Sequence, residues 1–132
     1  MDDPYTTDLQ VRSRDLDALG HVNHTVYVVY MQQARHEYLR EVVGPRLGLN
    51  PVVAHLEVDY EDEVRGEDAV TVAVEPTEFG ETSFALAYEV RTDDGVAATG
   101  ESVQVTVDSD AGEPRPVPGA WIERMDEYHG SP

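Results

Sequence analysis

Residues Val11–Leu39 read VRSRDLDALGHVNHTVYVVYMQQARHEYL, and a change of pattern inside this stretch decides how the chain is built. Its opening alternates weakly in polarity and reads as a first strand, Asp8–Arg14 (DLQVRSR). From Thr25 the period changes. Tyr27, Tyr30, Met31, Ala34, Tyr38 and Val42 recur at spacings of three and four, with Gln32, Gln33, His36, Glu37, Arg40 and Glu41 on the opposite face. This pattern predicts a helix over Thr25–Val43. Val26, Val28 and Val29 add apolar side chains around its first two turns and predict burial there on nearly all sides. Gly44-Pro45 and Gly48 end it.

Outward from this helix the chain reads as strands. Val52–Tyr60, Ala69–Glu75, Ser83–Arg91 and Val96–Val107 show period-two patterns rich in Val, Thr, Phe and Tyr. Turn signals separate them at Arg65-Gly66-Glu67-Asp68, Phe79-Gly80-Glu81 and Asp93-Asp94-Gly95. The spacing suits an antiparallel meander. After Pro114, Pro116 and Pro118, an amphipathic segment with Trp121, Ile122 and Met125 predicts a short docked helix. The expected architecture is α+β: one domain over residues 1–132, its antiparallel sheet of about five strands wrapped around one long helix.

The joint between first strand and helix concentrates polar chemistry in Asp15, Asp17, Gly20, His21, Asn23 and His24. Asn23 is suited to cap the helix, its side chain accepting a first-turn N–H. The amides of His24, Thr25 and Val26 have no partner within a helix, and the helix dipole adds positive charge there. Such amides can hold an oxyanion, and one preorganised donor is typically worth about 3 kcal/mol. Gly20 lets the loop turn tightly and a ligand approach its backbone. A carboxylate nearby can activate water or attack an acyl group itself. The residues alone leave Asp17 two readings, and spacing favours the plainer one, a turn residue that satisfies loop amides. His21 is expected to orient the loop by bonding Asp17. The spacing of Asp17, His21 and His24 is weak support for a metal, and none is expected. Tyr27, Tyr30 and Tyr38 read as core, Arg35 as one half of a structural ion pair, and His36, His55 and His129 as structural or exposed.

Composition narrows the classes. There are 27 Asp+Glu against 9 Lys+Arg, every base is Arg, and the net charge is −18. Acids are spread along the chain, so the bias belongs to the folded surface and repels itself at low ionic strength. In molar salt the Debye length falls to roughly 3 Å and the repulsion is screened, which suits a salt-filled cytoplasm. No basic stripe offers phosphate contacts to nucleic acid. With Cys 0, disulfides and thiol nucleophiles are excluded. The start MDDPYTTD has no signal-peptide pattern, and the apolar run Val26–Met31 is too short to span a bilayer. A cytoplasmic protein without membrane or nucleic-acid partners is expected.

Taken together, these residues resemble the hotdog-fold acyl-CoA thioesterases of the 4-hydroxybenzoyl-CoA thioesterase type. The matching positions are Arg12, Asp17, Gly20, His21, Val22, Asn23, Tyr27, Ala34, Arg35, Glu37 and Leu39. Downstream, Val58-Asp59-Tyr60, Gly66-Glu67-Asp68, Ser83, Gly95 and the Pro-rich exit also fit. The resemblance implies that Asp17 is the catalytic carboxylate, as general base or nucleophile, and that the His24 amide donates to the thioester carbonyl. Gly20, His21, Val22 and Asn23 would shape the loop, with Tyr27 beside them in the substrate site. It also implies an acyl-CoA substrate, no separate cofactor, and homodimers or homotetramers joined edge to edge, with the acyl site at the interface. One position departs: Gln33 stands where the pattern usually has an acid before Ala-Arg. Arg65 and Arg91 are candidates for the coenzyme A phosphates. A non-catalytic acyl-thioester binding protein on the same fold is the alternative, and a hotdog hydratase a weaker one.

The charge makes a first prediction. Moving from dilute buffer to molar KCl should raise the thermal unfolding midpoint by about 4 °C for each kcal/mol of repulsion removed. A midpoint independent of KCl in a scanning-calorimetry series contradicts it.

Overall fold

The structure, a computed structural model, describes residues 1–130. Five strands form one antiparallel sheet: β1 (Tyr5–Leu9), β2 (Leu49–Tyr60), β3 (Val70–Phe79), β4 (Ser83–Thr92) and β5 (Gly95–Asp108). Their order is β1-β3-β4-β5-β2. The central helix α1 spans His24–Tyr38 and a second helix, α2, spans Gly119–His129. The expected meander therefore holds only for β3, β4 and β5. Strand β2 does not pair with β3; the chain crosses over and β2 joins the far edge of β5, Leu49 opposite Asp108 and Tyr60 opposite Ala98.

Helix α1 starts where Asn23 caps it, the Asn23 Oδ1 accepting the Thr25 N–H at 3.1 Å. Tyr27, Tyr30, Met31, Ala34 and Tyr38 form its buried face. Burial is one-sided: Val29 is 48% exposed, so the expectation of an all-round apolar beginning fails. The predicted end at Val43 is correct, but the last residues are not α-helical. Leu39–Val43 form a π-helical turn, closed by the Gly44 N–H donating to the Leu39 carbonyl at 2.9 Å. The wider turn keeps Leu39, Val42 and Val43 buried together. The first strand also lies earlier than Asp8–Arg14. Pairing with β3 from Tyr5 opposite Val74 to Leu9 opposite Val70 fixes it, and Ser13–Asp15 is a single 3-10 turn.

On the helix-facing side of the sheet, Val70, Val72, Val74, Phe84, Leu86, Tyr88 and Val90 alternate into the core. Trp121 and Met125 of α2 are buried against the same cluster. Strand β5 contributes a buried polar row, Ser102, Gln104 and Thr106. Ser102 and Gln104 are satisfied, as buried polar groups generally are, while the Thr106 hydroxyl has no partner among the described residues. Tyr88 Oη and Ser102 Oγ share a hydrogen bond of 2.5 Å, Ser102 donates to Gln104, and Gln104 Nε2 donates to the Phe84 carbonyl at 3.1 Å. Arg35 joins this chain by donating to Tyr88 Oη at 3.3 Å. Among the described residues it makes no ion pair, so the expectation of a carboxylate partner for Arg35 is not met. His129 is structural, bonded to Tyr38 Oη at 2.9 Å and to the Asp3 carbonyl at 2.9 Å. His55 lies on the surface beside Glu57. No described helix is long and apolar enough to cross a membrane.

The helix can lie close to the sheet because Gly100 faces Met31. A Cβ on Gly100 would stand 2.8 Å from the Met31 sulfur and 3.1 Å from the Glu57 carbonyl oxygen. Met31 is fully buried and has little room to give. Gly100→Ala should therefore destabilise the fold by about 1–3 kcal/mol, read as a lower denaturant midpoint at unchanged slope. A midpoint equal to wild type would show that the contact is not tight.

Candidate active site

Between β1 and α1 the chain is folded on itself by short-range bonds. Asp15 is the anchor. Its Oδ2 accepts the Arg12 N–H at 2.8 Å and the Tyr30 hydroxyl at 2.9 Å, while its carbonyl accepts the Asn23 N–H at 2.8 Å. Burial first, then the Asp15 carboxylate, raises the Tyr30 hydroxyl well above the usual tyrosine range, so it remains a donor. Beyond Asp15 the loop returns through Asp17. The Asp17 N–H donates to the His21 carbonyl at 2.8 Å, and the Gly20 N–H to the Asp17 carbonyl at 3.1 Å. Asp17 Oδ1 accepts the Leu19 N–H at 2.9 Å and the His21 N–H at 3.1 Å. Gly20 sits at φ 78°, in the left-handed region that favours glycine. Val22 then ties the loop to the neighbouring segment by donating to the Val64 carbonyl at 2.6 Å.

Asp17 thus does what the plainer reading expected, with one oxygen. The side chain is exposed, and among the described residues its Oδ2 accepts no hydrogen bond. The His21 ring does not bond Asp17. It turns to Glu63, with Nε2 3.2 Å from the carboxylate, and only the His21 backbone meets Asp17. The reason is the bridge between His21 and Arg65, which sets His21 beside the residues following β2.

The first turn of α1 is more selective than its sequence implied. Of the three amides, Thr25 N–H is taken by the Asn23 side chain and Val26 N–H by the Asn23 carbonyl at 2.9 Å. Only the His24 N–H donates to no protein acceptor among the described residues. Capping satisfies the others and leaves one donor at the positive end of the helix dipole.

Beside this donor lies a cavity of about 400 Å³. His21, Val22, His24 and Tyr27 line it, whereas Asp17, Gly20 and Asn23 are absent from its wall and act from the adjoining loop. Tyr60 and Glu63 also line it, and sequence reasoning assigned neither a place in the site. Tyr60 Oη donates to the His24 carbonyl at 2.7 Å, and its ring meets the Tyr27 ring edge-on at 5.2 Å. The position of Tyr60 at the end of the alternating β2 pattern was the available signal; the acidic run after it hid Glu63 among surface charges. Tyr27 Oη is fully engaged, donating to the Asp62 carbonyl at 3.2 Å and accepting the Val64 N–H at 3.0 Å. Burial holds its hydroxyl in the neutral form. Tyr27 therefore supplies wall and rigidity. Among the described residues no three His, Asp or Glu side chains are gathered as a metal would need. Arg65 and Arg91 are already paired, Arg65 with Glu63 at 3.7 Å and Arg91 with Glu89 at 2.8 Å.

Comparison with known proteins fits this geometry. A thioesterase from Thermus thermophilus, crystallised with coenzyme A and Zn, is 35% identical; the match covers 96% of this chain and 95% of that one, with a TM-score of 0.85. A structure described as a predicted thioesterase from Bacillus stearothermophilus is 29% identical over 97% of this chain and 98% of that one, with a TM-score of 0.84. At 18% identity, a thioesterase-superfamily structure from Jannaschia sp. CCS1 shares the fold, with a TM-score of 0.90 and coverage of 96% of this chain and 94% of that one. No curated protein matches the chain. The family described as the thioesterase-like superfamily matches residues 11–125. With its five-stranded sheet around a central helix, the chain has the hotdog fold and belongs to the thioesterase-like superfamily.

Proposed function

We propose that the protein hydrolyses an acyl-CoA thioester to the free acid and coenzyme A. The observation that carries this reading is the His24 N–H at the start of α1, which among the described residues has no acceptor, with the Asp17 carboxylate on the loop that leads to it. The thioester carbonyl oxygen would accept the His24 N–H, which gains most as that oxygen becomes negative. Asp17 would use Oδ2, with Oδ1 held by two amides, to take a proton from water or to attack the carbonyl carbon itself. In the first route water adds to the carbonyl and the coenzyme A thiolate leaves. In the second the Asp17 carboxylate displaces the coenzyme A thiolate to form an acyl anhydride on Asp17, and water then cleaves it to the free acid and the carboxylate. The coenzyme A bound to the Thermus thioesterase supports a ligand of this type.

Asp17 should account for turnover and not for folding. Asp17→Asn keeps an oxygen to accept the Leu19 and His21 amides, so its unfolding midpoint should stay near wild type. Release of thiol from an acyl-CoA panel should fall by about 10²–10⁴-fold. Retained turnover in the purified variant removes Asp17 from the mechanism. Saturable acyl-CoA binding without thiol release in wild type would instead favour the binding-protein reading, for which Gln33 in place of a helix acid is the supporting feature.

The same reading includes a homodimer through β2. Val53, Leu56 and Tyr60 pair with Gln104, Ser102 and Ala98, residues buried on the helix side of β5, and so share that face. Yet they are covered only in part: Leu56 is 37% and Tyr60, despite its contacts with the start of α1, 49% exposed. An edge strand with an apolar row is suited to pairing with a second copy. Because Tyr60 also lines the cavity, the partner would wall its open side. Leu56→Asp should shift the protein toward monomer in analytical ultracentrifugation and lower turnover with it; an unchanged sedimentation coefficient argues for assembly through another face.

A further inference from the structure

A second cavity, of about 350 Å³, opens between the end of β1, the 3-10 turn and the exposed flank of α1. Arg12, Arg14, Gln10 and Gln33 line it, with Leu9 and Val29 as apolar wall. The chain has 9 bases against 27 acids, and among the described residues five of the other seven arginines are held by protein oxygens, Arg40 and Arg46 being the exceptions. Arg65, Arg91 and Arg115 sit in ion pairs, Arg35 bonds Tyr88, and Arg124 bonds the Val43 carbonyl. Arg12 and Arg14 have no carboxylate within ion-pair distance among the described residues. The one acid at the cavity, Asp15, directs its Oδ2 to the Arg12 N–H and to Tyr30. In a chain of net charge −18, two guanidinium groups without ion-pair partners, sharing one cavity with a single carboxylate, leave a locally positive site.

We propose that this cavity binds a phosphorylated, nucleotide-like group: the phosphate-bearing end of the coenzyme A thioester. The choice of coenzyme A rests on the thioesterase reading; the anion site does not. Guanidinium groups match phosphate oxygens in pairs. The Gln10 and Gln33 amides each offer donors and an acceptor to ribose hydroxyls or base edges. Leu9 and Val29 give a flat ring an apolar surface. Reach is adequate, since Arg14 and Asp17 are three residues apart and their Cα atoms can be separated by no more than roughly 11 Å. The flexible pantetheine arm would bridge the loop between them. Contact of this kind also resolves the conflict between an anionic ligand and a net charge of −18. Salt screens the overall repulsion beyond roughly 3 Å in molar KCl, while direct guanidinium–phosphate contacts persist.

The test compares wild type with Arg12→Gln/Arg14→Gln and with Arg12→Lys/Arg14→Lys, in dilute buffer and in molar KCl. Calorimetric titrations use inorganic pyrophosphate, coenzyme A, dephospho-coenzyme A and pantetheine. Wild type should bind coenzyme A at least tenfold more tightly than pantetheine, and should bind pyrophosphate. The Gln pair should lose roughly ten- to a hundredfold in affinity for coenzyme A and lose pyrophosphate binding, with partial recovery in the Lys pair. The preference in kcat/KM for acyl-CoA over acyl-pantetheine should collapse in parallel. Arginine dependence that persists with dephospho-coenzyme A assigns the diphosphate to the cavity, and dependence lost with it assigns the 3′-phosphate; either supports the site. Pyrophosphate binding that needs the arginines, in a protein that hydrolyses neither thioester, supports the anion site while the thioesterase reading falls. Wild-type pyrophosphate affinity in the Gln pair, or no preference of wild type for coenzyme A over pantetheine, overturns the proposal.

Discussion

The hydrogen bond from the Tyr30 hydroxyl to the Asp15 carboxylate fixes the relation between the loop and the helix, and the site follows from that relation. Tyr30 is buried two turns into α1, so its hydroxyl is a fixed point. Asp15 uses it to pin the 3-10 turn and, through its carbonyl, to place Asn23 at the helix start. Asn23 then consumes the Thr25 and Val26 amides and leaves His24 alone. A residue that touches none of the cavity's reactive groups thus determines which amide remains free to donate. The burial that makes Tyr30 a poor acid also secures the bond, because a neutral hydroxyl keeps its proton for Asp15.

The large elements were legible because their periods are physical necessities. Tyr27, Tyr30, Met31, Ala34 and Tyr38 can share a core only on a helix, and Val70, Val72 and Val74 only on a strand. What was not legible depended on partners distant in sequence. The β1 boundary came from pairing with Val70–Val74, which nothing in DLQVRSR encodes. The crossover that places β2 beside β5 is equally silent, because alternation gives a strand's faces and not its neighbours. Within the site, the capping role of Asn23 and the turn at Gly20 were readable from local chemistry. The His21–Glu63 contact and the role of Tyr60 were not, since both need the end of β2 folded against the loop.

Charge is organised at two scales. Over the whole chain it is a net charge of −18, whose long-range repulsion salt can screen. Within the fold it is arranged by short contacts, as where Arg115 meets Asp108 at 3.0 Å and Glu113 at 3.4 Å. Using arginine alone suits this economy, because a guanidinium offers several donors in a fixed fork and holds its charge at any working pH.

The sheet order has a consequence for the time course of folding. Strands β3, β4 and β5 are joined by tight turns and can pair as soon as each hairpin closes. By contrast, Tyr5 must find Val74 and Leu49 must find Asp108, each across a long stretch of chain that includes α1 or most of the sheet. Loop-closure entropy is incurred before such distant pairs return any stability, so a topology rich in them folds slowly. On this ground the hairpins are expected to pair first and the outer strands to add later. A β2 that joins late leaves its apolar row without a neighbouring strand for a time, and a net charge of −18 on each copy opposes pairing with another chain.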